Sequence, residues 1–267
     1  MPGGRVIGST YTDCHIHLSD PIYSTRLEEI LEGAKASGLG AIVTNAVDLG
    51  TSLGNLRISE ANPGFVYPAI GMHPLNISEG ELSALKRLIL ASRDRLVAIG
   101  EVGLDVKAEL LGGHRQLAIL KSFLDLSKEL DLPVIIHSRG MQEEAFKAVA
   151  EAGIERALFH WFTGSAELLR ELIGSGYNIS IGPSVLYSKR VRDVARETPI
   201  DLILTETDGP VPYRGIAEGG LTTPALIPKV ALEIAELKGI PEWSLREAVK
   251  ANFEKFFRVR VSTIGIG

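Results

Sequence analysis

Short apolar runs rich in β-branched residues alternate along this chain with longer segments of helical period. The short runs predict strands near 9–16, 41–47, 66–71, 97–101, 133–137, 156–160, 177–181 and 201–206. The intervening segments predict helices near 24–38, 51–62, 78–92, 114–131, 141–153, 165–175, 188–197 and 224–239. Within 114–131, Leu117, Leu120, Leu124 and Leu130 recur on one side at helical spacing, and Pro133 bars continuation. Ser165 is the expected cap of the helix near 165–175, with Glu167 as the acid of its first turn. Eight strand–helix repeats over this length predict an α/β fold, a (β/α)8 TIM barrel forming a single domain over 1–267. A doubly wound open sheet is the alternative. No Gly-x-Gly-x-x-Gly follows the first strand, which weighs against its nucleotide-binding version. The Gly/Pro-rich segment 209–223 follows the last strand and reads as an active-site loop.

The polar residues that end these runs change the picture. His15 and His17 close the first run, His137 the fifth and His160 the sixth, and His73 follows the third. Glu101 and Asp208 close two more. Alternation along a strand puts Asp13, His15 and His17 on one face and Cys14 and Ile16 on the other. An isolated His-x-His is as easily chance as a metal site, and a lone strand-end histidine is usually a hydrogen-bonded core residue. Their recurrence at successive strand ends, beside two carboxylates, points to one shared site. Glu101 and Asp208 could not be buried there unpartnered. A pair of divalent ions removes that cost. Imidazole and carboxylate ligands suit Zn or Mn, and a carboxylate-rich, water-completed site can hold Mg. Two such ions about 3.5–4 Å apart activate water and stabilise a leaving oxygen.

Composition narrows the class. Apolar residues make up 45% and charged residues 23%, as in an ordinary globular protein. The single cysteine, Cys14, excludes an intramolecular disulfide and a Cys-based zinc site. It fits a reducing compartment, and a cytoplasmic location is expected. No run reaches the roughly 20 apolar residues of a membrane span, and the first residues lack a signal-peptide core. No membrane and no obligate protein partner are therefore expected. The net charge of −5 argues against a broad surface that coats nucleic acid. It leaves room for a local cationic site made by bound metal.

Six motifs then occur in order: Asp13-Cys14-His15-Ile16-His17, Gly71-Met72-His73-Pro74, Gly100-Glu101-Val102-Gly103-Leu104-Asp105, His137-Ser138-Arg139, His160-Trp161-Phe162-Thr163-Gly164-Ser165 and Glu206-Thr207-Asp208. Together they resemble the TatD-type metal-dependent hydrolases, a branch of the amidohydrolase-like barrels. The resemblance runs from about residue 10 to Asn252-Phe253-Glu254-Lys255-Phe256, where that family has a C-terminal helix. It implies a TIM barrel and a divalent-metal deoxyribonuclease, often a 3′→5′ exonuclease, with DNA or another phosphodiester bound in the cleft.

Carried over by position, His15 and His17 hold one ion, Glu101 bridges two, and His137 and His160 hold the second. Asp208 binds the first ion and orients or deprotonates the attacking water, so Glu101 and Asp208 are the expected catalytic residues. His73 is the expected substrate-side histidine, with a loop-anchoring hydrogen bond as its alternative. Arg139 and Arg214 are expected to face substrate phosphate, and a surface salt bridge is the alternative for each. Glu206, two residues before Asp208 on the same strand face, is its rival for the catalytic role, and its deeper position in the barrel favours a structural acid.

The chain departs from the family pattern at Gly140, at Thr222-Thr223-Pro224 and over Val106–Gly113. These departures bear on substrate, not on the ligand set. The competing function is hydrolysis of a C–N or C–O bond, as in a D-aminoacyl-tRNA deacylase or a small-molecule amidohydrolase. No lysine ends a predicted strand, so a carboxylated-lysine bridge is not expected.

Overall fold

The computed structural model describes residues 10–110, 115–213, 215 and 221–261. Its eight strands form one parallel sheet in sequence order: β1 (Tyr11–Ile16), β2 (Leu39–Asn45), β3 (Val66–Ile70), β4 (Ala98–Gly103), β5 (Val134–His137), β6 (Ala157–Phe159), β7 (Asn178–Ile181) and β8 (Ile203–Thr205). Each overlaps its predicted span. The helices are α1 (Leu27–Ala36), α2 (Leu49–Ala61), α3 (Glu79–Ser92), α4 (Val106–Leu110), α5 (Gln116–Leu130), α6 (Gln142–Glu151), α7 (Ala166–Gly174), α8 (Lys189–Glu197), α9 (Ile227–Lys238) and α10 (Glu242–Phe257). This is the predicted (β/α)8 barrel. Helices cover the outside of the strands, so the strands are buried on both faces and read as continuous apolar runs. In β2, Leu-Gly-Ala-Ile-Val-Thr-Asn is buried throughout.

The barrel is filled by a cluster that takes residues from every strand except β7: Cys14, Ala41, Val43, Ala69, Ala98, Ile135, Leu158 and Leu204. Phe253, Phe256 and Phe257 of α10 join it. The Asn252 amide donates to the carbonyls of Ile200 and Ile203 at 2.7 and 2.8 Å, where β8 begins. α10 therefore closes the amino-terminal end of the barrel, and the carboxyl-terminal end remains free for chemistry. No helix of the described residues is long and apolar enough to cross a membrane.

Ser165 caps α7 as expected, accepting a hydrogen bond from the Leu168 N–H at 3.2 Å. Two expectations fail. α5 buries Gln116, Ile119, Leu120, Phe123 and Leu124, while Leu117 is 41% exposed. Leu120 and Leu124 are buried as read and Leu130 packs against the core, but the stripe is completed by Gln116, Ile119 and Phe123 and leaves Leu117 at its margin. The alternation in β1 also breaks. Asp13 pairs with Ile42 and Ile16 with Thr44, three steps on β1 against two on β2. This bulge separates Cys14, in the barrel filling, from Ile16, which packs with Ile30, Leu31 and Ile42 in the outer layer.

The seam between β8 and β1 is held mainly by side chains and by the segments that follow the two strands. Thr205 Oγ1 donates to the Thr12 carbonyl at 2.6 Å. Thr207 donates to the Asp13 carboxylate through its N–H at 3.1 Å and its hydroxyl at 2.5 Å. The Asp208 N–H donates to the His15 carbonyl at 2.8 Å, and the His17 N–H to the Gly209 carbonyl at 2.9 Å. Asp13 thus braces the seam instead of entering the site. Burial pushes its pKa up to about 8, against the hydrogen bonds from Thr207 and His15.

Candidate metal centre

All six predicted ligands converge at the carboxyl-terminal mouth. His15 lies at the end of β1 and His17 just beyond it, Glu101 within the last half of β4, and His137 at the end of β5. His160 and Asp208 follow β6 and β8. The backbone must come very close at one point to allow this. At Gly103 a Cβ would sit 1.9 Å from the His137 carbonyl oxygen, so only glycine lets β4 and β5 approach there. Asp208 has φ 49°, a left-handed conformation that aspartate tolerates.

Glu101 lies at the centre with its two oxygens facing opposite ways. Oε2 is 3.4 Å from Nε2 of both His15 and His17. Oε1 is 2.7 Å from His137 Nδ1 and 2.8 Å from His160 Nε2. Asp208 Oδ1 is 3.5 and 3.3 Å from the His15 and His17 Nε2 atoms. The imidazoles crowd together: Nε2 of His15 and His17 are 3.3 Å apart, as are His137 Nδ1 and His160 Nε2. Two such nitrogens cannot both offer lone pairs to each other, so a cation between them suits the arrangement.

Ligand atoms of His15, His17 and Asp208 all lie within 4.8 Å of one another, and so do those of His15, Glu101 and His160 and of His73, Glu101 and His137. This donor set fits divalent ions. Burial alone would raise Glu101, but His160, His73, His15 and His137 outweigh it and hold the carboxyl well below its usual range. Asp208 is likewise held down by His17, His15 and His160 against its burial. Both carboxylates are therefore charged, and each removed from water at a cost of several kcal/mol.

Hydrogen bonds behind the rings decide which nitrogen faces inward. A carbonyl oxygen only accepts, so the His17 Nδ1–H donates to the Asn45 carbonyl at 3.0 Å and Nε2 keeps its lone pair for the site. His137 Nε2–H donates to Asp105 Oδ2 at 2.7 Å, which leaves Nδ1 as its inward donor atom. His160 Nδ1 is 3.5 Å from Glu206 Oε2. The Glu206 carboxylate also accepts from the Ser180 hydroxyl at 2.7 Å and the Trp161 N–H at 2.9 Å. Glu206 is fully buried and turned toward β6 and β7, consistent with a structural acid.

His73 is orientated differently. The Leu75 N–H donates to its Nδ1 at 3.1 Å, the loop-anchoring bond that sequence left open. Burial holds its pKa down at about 4, so the ring is neutral near pH 7 and its proton sits on Nε2. Its Nε2 is 3.2 Å from His137 Nδ1 and 3.6 Å from Glu101 Oε1. Arg139 lines the cavity, and its Nε–H donates to Asp105 Oδ2 at 2.9 Å. Arg214 lies outside the described residues.

Asp105 had no role in the sequence reading. It is fully buried, accepts from both His137 and Arg139, and its other oxygen accepts from the Lys107 N–H at 2.7 Å to start α4. Burial opposes its ionisation, but the His137 and Arg139 hydrogen bonds hold its pKa below the usual range. The available signal was its position four residues after Glu101, in a motif otherwise glycine and apolar. The cavity over the site is about 440 Å³ and is lined by His17, His73, Arg139, Trp161, Asp208 and Val211 among others.

A barrel with this imidazole and carboxylate set at its carboxyl-terminal mouth defines the class: a metal-dependent hydrolase. The chain belongs to the TatD-related DNase family, whose profile matches residues 12–258. It is 34% identical over 254 residues to the Bacillus subtilis protein YabD, described as an uncharacterized metal-dependent hydrolase, covering 92% of this chain and 98% of the relative. It is 32% identical over 266 residues to human deoxyribonuclease TATDN3, covering 95% and 96%. Among solved structures it resembles the TatD homologue YjjV of Escherichia coli, with a TM-score of 0.87, 29% identity, and coverage of 95% of this chain and all of that one.

Proposed function

We propose that this protein hydrolyses phosphodiester bonds of DNA from a strand end, in the 3′→5′ direction, with two divalent ions held around Glu101. The observation that carries this reading is Glu101 itself, whose two oxygens face two separate imidazole sets beneath one open cavity. His15, His17 and Asp208 would hold one ion and His137 and His160 the other, with Glu101 lying between the two sets. Mg, Mn or Zn bound there would supply Lewis acidity toward the phosphoryl oxygens and lower the pKa of water.

The protein's own groups do the rest. Asp208 would accept a proton from the attacking water and orient it toward phosphorus, while the bond from phosphorus to the departing 3′ oxygen breaks and that oxygen takes a proton from solvent. The His73 Nε2–H donates to a phosphate oxygen. Arg139, held by Asp105 through Nε, keeps its terminal guanidinium nitrogens for the same anion. Support for DNA as substrate comes from the family and from TATDN3, which is named a deoxyribonuclease.

Two measurements bear on this directly. Purified protein is expected to release nucleotides from a single-stranded DNA oligomer, to stop after chelation with EDTA, and to recover with Mg, Mn or Zn. A chelated protein that keeps its rate overturns the metal role. Activity confined to ester, lactone or aminoacyl-tRNA substrates overturns the phosphodiester assignment in favour of C–O or C–N hydrolysis. Asp105→Asn should weaken metal binding at the His137 side by roughly 10–100-fold, the scale for a lost carboxylate behind a ligating histidine. Calorimetric metal titration reads this, and unchanged affinity would remove Asp105 from the ligand-orienting role.

A further inference from the structure

The run Phe159-His160-Trp161-Phe162 splits three ways. Phe159 and Phe162 are 0% and 2% exposed and belong to the main apolar cluster. His160 turns into the metal centre. Trp161 belongs to none of the apolar clusters among the described residues and lines the cavity instead. Its backbone has φ 42°, a conformation that bulky side chains rarely adopt. A large aromatic ring at a backbone position suited to glycine or asparagine, placed at the mouth and not in the core, calls for a role there.

The ring is also held in place. The Trp161 backbone N–H donates to Glu206 Oε1 at 2.9 Å and fixes the turn that carries the ring. The ring lies against buried Tyr213, with centroids 5.4 Å apart and planes tilted 44°. Beyond it, Arg190 donates to the Gly164 carbonyl at 3.1 Å and ties down the same turn. The result is a fixed, partly exposed indole beside His160, next to the place where a phosphodiester would react.

We propose that Trp161 is a specificity-determining residue that stacks on the nucleobase flanking the scissile phosphate. This rests on the phosphodiester reading above and adds to it that the enzyme recognises a base as well as a phosphate. Every base has a flat π-face, so the contact favours single-stranded or frayed ends without reading sequence. The metal centre and Arg139 alone would accept a phosphodiester lacking any base.

The test uses the metal-loaded protein and its fluorescence. The chain has two tryptophans, and Trp243 is 62% exposed on α10 at the opposite end of the barrel. In W243F, emission reports Trp161 alone. The probes are a single-stranded oligodeoxynucleotide blocked against hydrolysis by terminal phosphorothioate linkages and the same oligomer with abasic residues at its terminal positions. Binding is followed independently by anisotropy of a dye on the far end.

Quenching by the base-bearing oligomer and not by its abasic counterpart is expected. W161A should weaken binding of the base-bearing oligomer about tenfold, within the range for one stacked base, and leave the abasic one unchanged. W161F should restore much of the loss, because it keeps an aromatic face. Equal quenching by the two probes, or W161A binding both as the parent does, overturns the proposal while the phosphodiester reading stands. Failure of both oligomers to bind by anisotropy overturns the two together. Thermal melting of W161A and W161F confirms that the barrel is intact.

Discussion

Glu101→Ala is expected to empty one of the two ion positions and to lower hydrolysis by on the order of 10²–10³-fold, since the stabilisation lost is several kcal/mol and each 1.4 kcal/mol is one decade. Without Glu101, the imidazoles and Asp208 alone would face the two proposed dications. His137 Nδ1 and His160 Nε2 lose the carboxylate oxygen that now lies 2.7 and 2.8 Å away, and nothing anionic replaces it. Glu101→Gln separates charge from shape. The amide fills the same space, with a polar atom still toward each set, but it cannot balance two ions. It should therefore fall nearly as far as alanine. Metal content per chain and nucleotide release, measured on both variants, check this. Full activity in Glu101→Gln with both ions retained would show that the carboxylate is not a bridge.

Asp208→Asn should lower turnover by roughly 10²-fold or more, the scale of a lost general base. The substitution is otherwise gentle. Asparagine also tolerates the left-handed backbone at φ 49°, and the Asp208 N–H can keep its bond to the His15 carbonyl at 2.8 Å. His137, His160 and Glu101 remain, so the fold and the ion on that side should persist. The nearby acid Glu206 is not placed to substitute. Its carboxylate is taken by Ser180 and the Trp161 backbone and faces the far side of His160. Kinetics and metal analysis on this one variant are sufficient. Near-normal turnover would mean that no side-chain base is required, or that Glu206 moves to serve.

Much of the molecule was legible before any coordinates. Strand-length apolar runs with polar ends occur where a parallel barrel buries both faces of a strand and exposes only its tip, so His15, Glu101, His137, His160 and Asp208 could be placed at one mouth from position alone. Periodicity is a local property, and the ladder on either side enforces the register except at the shifts in β1 and β4.

Where the reading went astray, the deciding contact was distant in sequence. Leu120 and Leu124 are buried as their spacing predicts, but the neighbours of α5 complete that face with Gln116 and Ile119 and leave Leu117 outside it. Strand alternation paired Cys14 with Ile16 until the bulge against β2 separated them. Asp105 lay in plain view in a quoted motif. Its function exists only because His137 and Arg139, more than 30 residues away, donate to one of its oxygens.

By itself, then, the sequence determined the order of the strands, the barrel and the roster of side chains at its mouth, because burial of apolar surface depends on local pattern. Only the tertiary structure decided which ring nitrogen faces inward, that Asp105 is buried behind His137, and that Trp161 stands at the wall of the cavity. Those are hydrogen-bond and packing choices between residues on different strands, and no local pattern encodes them.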